Sequence, residues 1–205
     1  MFLGFWEHIF PNTLLGWIST IFSSLAILIF IISSSFKSKK NMLFIQVVGH
    51  VLLAIGEFIS NAWASIVQEI ISITRNGLVY FSKNTKIVNY VLIILGVAVG
   101  LYCGIMGKNT FTPWKGIDPA KWYGYLPIIA NLEYSIVVCD NRLDAKWLKL
   151  SFSISSLLWA LSFMLQGSGL FLSGMLNAIL GCVAAAAFVK MCIKDKEESS
   201  SLSSN

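Results

Sequence analysis

The chain has 205 residues, of which 56% are hydrophobic and 12% charged. A soluble domain carries about 25% charged residues, so a soluble globular fold is excluded. The net charge of +5 is gathered at the ends of long apolar stretches, which argues for a membrane topology signal and against a nucleic-acid surface. The cysteines, Cys103, Cys139, Cys182 and Cys192, form neither a CxxC pair nor a Cys–His set at metal spacing, so no metal, cofactor or disulfide framework is expected.

In chain order, Met1–Thr13 reads as a short amphipathic lead without the basic region and cleavage site of a signal peptide. A spanning helix needs about 20 mostly apolar residues. Such stretches recur at Leu14–Phe36, Met42–Asn61, Ala62–Phe81 and Val88–Gly107, and after a loop (Lys108–Lys121) at Trp122–Cys139, Trp147–Gln166 and Gly169–Met191. They are too long for barrel strands and lack two-residue alternation, so the expected fold is an all-α membrane protein of seven transmembrane helices. Residues 194–205, rich in Lys, Glu and Ser, read as a disordered tail.

With seven spans the loops fall alternately on two sides. One side collects Lys37, Lys39, Lys40, Arg75, Lys83, Lys86, Arg142, Lys146, Lys149, Lys190, Lys194 and Lys196; the other holds Lys108, Lys115 and Lys121. The first side is therefore expected to be cytoplasmic, with the N-terminus outside and the C-terminus inside.

The second and third spans are joined by a tight turn at Glu57–Trp63, and the sixth and seventh by another at Gln166–Gly169. Offset by 109 residues, the first pair overlays the second without a gap, with Glu57 on Gln166 and Gln68 on Asn177. The pattern suggests two parallel three-helix repeats, residues 14–81 and 122–191, joined by a linker helix at 88–107. Gly96, Gly100, Gly104 and Gly107 on that linker recur every four residues or closer, which allows close helix approach.

Ionisable groups in hydrocarbon are costly and need a reason. At a rise of about 1.5 Å per residue, His50, Glu133 and Asn177 fall near the midplane, and Gln68 and Glu69 about a third of the way into the third span. Arg75 lies near the cytoplasmic boundary, where it is read as snorkelling or binding lipid phosphate. His50 beside a carboxylate would suit proton handling, so His50 and Glu133 are the proton-coupling candidates. Trp17, Tyr125, Tyr134 and Trp159 lie within spans and could wall a pocket. Pro127, with Gly124, is expected to bend the fifth span as a hinge.

Ile71–Asn76 running into Val79–Phe81, then Leu126–Ile129, then Trp159, resembles the YgjV-type family of bacterial inner-membrane proteins over about Leu14 to Lys190. The resemblance implies an inner-membrane location and an architecture like that of SWEET sugar transporters and PnuC-type nicotinamide riboside transporters. It leaves the substrate open. The tandem prolines of sugar-transporter repeats are missing from the first half, and an acidic residue stands at Glu133 rather than in the seventh span.

The expected function is transport or facilitated passage of a small polar or ring-containing metabolite, with His50, Gln68, Glu133, Trp159 and Asn177 lining a midplane site. The expected partners are that solute and membrane lipids, with no nucleic acid; a homo-oligomer is compatible with the sequence. The alternative is a non-transporting membrane sensor, partner or assembly protein. No enzyme motif such as HExxH or GxSxG is present, so an enzyme is not expected.

Overall fold

The computed structural model describes residues 13–59, 63–106, 122–166 and 171–203. They form seven α-helices, and no strand occurs among them. The helices are α1 (Leu14–Ser33), α2 (Lys39–Ile59), α3 (Trp63–Tyr80), α4 (Lys86–Met106), α5 (Leu126–Cys139), α6 (Ala145–Gln166) and α7 (Phe171–Ser203), with a 3-10 turn at Trp122–Tyr125 ahead of α5. By length and composition, α1, α2 and Gly174–Glu197 of α7 are fit to cross a membrane, and α4 and α5 carry shorter apolar helices. Both α3 and α6 are more polar. α3 carries Gln68, Glu69, Arg75 and Asn76, and α6 carries Lys146, Lys149 and a row of serines. Large apolar side chains face outward along the bundle, among them Ile21, Leu28, Ile94 and Ile179. A surface of that kind is stable against lipid rather than water.

The helix ends follow local chemistry. Thr13 caps α1 by accepting the Gly16 amide at 3.0 Å. At the other end of α3 the Ser82 amide donates to the Val79 carbonyl at 3.1 Å, and the Lys83 amide to the Leu78 carbonyl at 2.9 Å. This is a Schellman stop, with Ser82 at φ 55° in the position that favours glycine. The Lys39 ammonium, at the start of α2, donates to the carbonyls of Val137 (3.3 Å), Asp140 (2.8 Å) and Leu143 (3.3 Å). It therefore caps the C-terminus of α5, where exposed carbonyls attract a cation.

Two expected boundaries differ. The fifth helix begins at Leu126 rather than Trp122, and Pro127 lies in its first turn. Proline there lacks an N–H that would have no partner in any case, so the break falls at the junction of 3-10 turn and helix instead of bending a continuous span. The seventh helix runs on to Ser203, through the stretch expected to be a disordered tail. Lys146 of α6 reaches Asp195 at 2.7 Å, and the hydroxyls of Ser199 and Ser200 bond back to the carbonyls of Asp195 and Glu197. The Lys146–Asp195 pair ties the polar extension to α6, and the serine bonds are local to α7. The expected turns at Glu57–Trp63 and Gln166–Gly169 and the loop at Lys108–Lys121 lie largely outside the described residues.

Helix α1 packs on α2 and α2 on α3; α5 packs on α6 and α6 on α7. The two triples meet through α1 with α7, α3 with α5, and α2 with α6. Helix α4 touches α3, α5 and the 3-10 turn, and none of its described residues is buried. Glycines set the closest approaches. A Cβ at Gly49 of α2 would stand 2.4 Å from Cε1 of Phe30, and one at Gly181 of α7 would stand 2.8 Å from Cγ of Leu157. The core joins Ile27 and Phe30, Met42 and Leu43, Tyr134 and Val138, Leu148 and Phe152, and Leu180 and Ala184. It draws on α1, α2, α5, α6 and α7 and leaves one side of α5 to α3.

Candidate functional site

Helices 1 to 3 are wrapped in apolar residues, yet α2 and α3 turn a set of polar side chains inward. The helical repeat places Gln68, Ser72 and Arg75 of α3 on adjoining faces, with Glu69 and Asn76 beside them. From α2 come Gln46 and His50, one turn apart, and from α5 come Tyr134 and Ser135. Gln46 and Asn76 are fully buried, and Arg75 retains 3% of its exposure.

Between α2 and α3, His50 Nδ1 lies 2.5 Å from Glu69 Oε2, with the Phe30 ring edge-on to the imidazole at 5.0 Å. The carboxylate that pairs with His50 is thus Glu69 on the neighbouring helix and not the expected Glu133 of α5. His50 Nε2 is buried without a hydrogen-bond partner. The contact joins α2 to α3 through one ring nitrogen and leaves the other, Nε2, facing the bundle interior.

Toward the basic end, the Tyr134 hydroxyl donates to Gln46 Oε1 at 2.5 Å, and the Tyr134 ring lies under the Arg75 guanidinium at 5.1 Å. Arg75 Nη1 donates to the Ser135 hydroxyl, which donates in turn to the Asn131 carbonyl at 2.5 Å, and Arg75 Nε donates to Asn76 Oδ1 at 3.2 Å. The expectation that Arg75 snorkels to the boundary is therefore corrected. Neutral partners on α3 and α5 and the face of Tyr134 hold it inside the bundle, where its stem could not reach headgroups. A cleft between α3, α4 and α5 opens beside it. Gln68, Ser72, Arg75, Gly96, Asn131 and Ser135 line the cleft, which has room for about one water molecule.

The remaining sequence candidates are distributed around this layer. Gln68 lines the cleft and donates to the Gly96 carbonyl at 2.9 Å, which ties α3 to α4. Glu133 of α5 has Oε2 buried without a hydrogen-bond partner. The Ser151 hydroxyl of α6 is its polar neighbour, close enough to act on it but without hydrogen-bond geometry. Trp159 of α6 and Asn177 of α7 are partly buried. Sequence reasoning passed over Gln46, Asn76 and Ser135 and undervalued Glu69 and Arg75. The signal was present in the recurrence of polar residues at three- and four-residue steps from Gln68 to Asn76.

The model of the Imp-YgjV family, described as a bacterial inner membrane protein, matches residues 17–192. No curated protein and no solved structure matches the chain.

Proposed function

Because the chain belongs to the Imp-YgjV family of bacterial inner membrane proteins, we propose that it binds a small polar solute within its helix bundle and carries it across that membrane. All seven helices cross the bilayer in this reading, with the basic end cytoplasmic. The observation that carries it is the buried polar layer of Gln46, His50, Glu69, Arg75, Asn76, Tyr134 and Ser135 beside a cleft. An ionisable side chain at membrane depth costs at least about 2.5–3.5 kcal/mol on insertion scales. Interhelical glue needs only one or two neutral polar residues, whereas this layer holds a guanidinium, an imidazole and a carboxylate.

The helix contacts support a 3+1+3 arrangement of the type seen in transporters with parallel repeats. Exchanging α1, α2 and α3 for α5, α6 and α7 turns the α1–α7 contact into the α5–α3 contact and returns α2–α6 to itself. That is the behaviour of a two-fold axis along the bundle. Helix α4 stands outside it as a linker would. In this proposal the His50–Glu69 pair couples a proton to solute movement, with Glu133 as a second proton candidate and Trp159 and Asn177 as the walls contributed by the second repeat.

The test is a metabolite thermal-shift screen on purified protein in detergent, followed by uptake of each stabilising compound into proteoliposomes. Transport predicts a compound that both raises the melting temperature and enters vesicles, with both effects weakened by His50→Ala. Stabilising compounds that never enter the vesicles would refute transport and favour a sensor.

A further inference from the structure

We infer that Arg75 is the anchor for a carboxylate group on a singly charged solute, held in the cleft between α3, α4 and α5. The inference deepens the solute-binding reading above and rests on it.

Arg75 is buried, yet its described partners are all neutral: the Asn76 side-chain oxygen, the Ser135 hydroxyl and the Tyr134 ring. The acid nearest to it along α3 is Glu69, whose carboxylate is taken by His50 at 2.5 Å. Among the described residues no carboxylate stands within ion-pair distance of the guanidinium. A buried cation without a direct ion pair is unfavourable, and Glu69 acts on this one only from a distance, so an anion bound beside the guanidinium would supply the missing contact. The guanidinium has five N–H donors, and the two bonds to Asn76 and Ser135 leave the rest of the fork for a ligand.

The surroundings select the anion. Ser72 offers a hydroxyl to the cleft, and Asn131 stands beside it on α5. Gln68 is tethered to Gly96 at 2.9 Å and so fixes one wall. A Cβ at Gly100 would come 3.0 Å from Cγ1 of Ile128 and 3.5 Å from Nε2 of Gln68, so the glycines of α4 let that helix close over the site. The enclosed space holds about one water, which fits one carboxylate oxygen, with the second oxygen beside it at the open side of the cleft and the rest of the molecule outside. A planar fork matches a planar carboxylate through two parallel hydrogen bonds. One cation balances one negative charge, whereas a phosphate dianion would leave a buried excess.

The experiment uses the full chain purified in a nonionic detergent at about pH 8.5, where inorganic phosphate is the dianion, and at constant ionic strength, in a sodium methanesulfonate background. Sodium formate and sodium acetate are titrated from 0 to ~100 mM, with sodium chloride and sodium phosphate as the comparison anions, and the melting temperature is read. Formate or acetate should raise it saturably, and chloride and phosphate should not. Arg75→Lys keeps the charge and removes the fork; it should fold and bind the carboxylate at least ~10-fold more weakly. Arg75→Gln should abolish the shift, and if that variant does not fold, Arg75→Lys decides alone. Equal shifts from chloride and acetate, no shift from either carboxylate, or wild-type affinity in Arg75→Lys would each overturn the inference. Flux in proteoliposomes separates it from the broader proposal. Carboxylate binding without flux leaves the anchor standing and removes transport; flux of a neutral solute untouched by Arg75→Lys leaves transport standing and removes the anchor.

Discussion

The contact between His50 and Glu69 makes a sharp thermodynamic prediction, because both side chains are almost enclosed, at 11% and 14% exposure, and stand 2.5 Å apart. Glu69→Ala leaves the imidazole without its Nδ1 partner, and Nε2 already has none. Two effects oppose each other. An orphaned buried polar group costs about 1–3 kcal/mol, and more if it stays charged. Against that, helices unfolded within a micelle or bilayer find other partners, so interhelical polar pairs measure only about 0.6 kcal/mol on average and at most about 1.7. The short distance and the Phe30 ring, which bars water at 5.0 Å, put this pair at the upper end. Glu69→Ala and His50→Ala should therefore each destabilise by about 2–3 kcal/mol, while Glu69→Gln keeps a hydrogen bond and costs about 1. The double variant should fall short of the sum by about 1.5 kcal/mol, since the second truncation removes a group already orphaned. Unfolding in sodium dodecyl sulfate, followed by circular dichroism for the wild type and the four variants, measures all these terms. Additivity within about 0.5 kcal/mol would show that the two side chains do not interact, and the proposal that they act as a pair would fall with it.

Ser82 at φ 55° occupies a glycine position, so Ser82→Gly should stabilise by about 0.5–1 kcal/mol in the same unfolding assay, and Ser82→Val should destabilise. Lys39→Met removes three donors from the end of α5 and should cost about 1–2 kcal/mol, visible as faster hydrogen exchange at Leu143, whose carbonyl loses its partner and frees the loop. Arg142 bonds to Asp140 at 2.8 Å and holds its carboxyl down to about 2 from an ordinary 3.8. The charged form is the stabilising one, so its contribution is complete above about pH 4 and is lost as the pH falls toward 2; Asp140→Asn should flatten the melting-temperature profile across that window, lying slightly below the wild type at pH 7 and converging with it near pH 2. Gly181→Leu drives a side chain into Leu157 and toward the Ser153 carbonyl at 3.3 Å, so it should separate α6 from α7 and lower the melting temperature, whereas the same change at Gly77, which has open space around it, should not.

Helices were legible because hydrocarbon imposes length and composition: each expected stretch from the first to the sixth matches a helix to within about four residues at its ends. The fourth stretch, Val88–Gly107, has no Asp, Glu, Lys, Arg or His, and among its described residues no side chain is buried. Composition misled at the seventh helix. The Lys-Glu-Ser stretch has little to bury, but the ion pair from Lys146 to Asp195 depends on a residue 49 positions away and cannot be read locally. The site was half legible for the same reason. Cost alone marks His50, Glu69 and Arg75 as residues needing partners, and it says nothing about which partner each finds. Depth along a helix is one coordinate; the facing direction is the other, and the choice between Glu69 and Glu133 for His50 turns on it. Helix α3 shows how the second coordinate could have been recovered. Gln68, Ser72 and Asn76 recur every four residues, while Val67 and Ile70 stand on the exposed side at 40% and 54%. A polar stripe set against an apolar one on a helix between lipid and protein must turn the polar stripe inward, and that requirement carries Arg75 with it. The residue that looked most like a boundary anchor is thereby assigned to the interior, because a helix cannot rotate one of its side chains to lipid headgroups while its neighbours one turn away line the bundle.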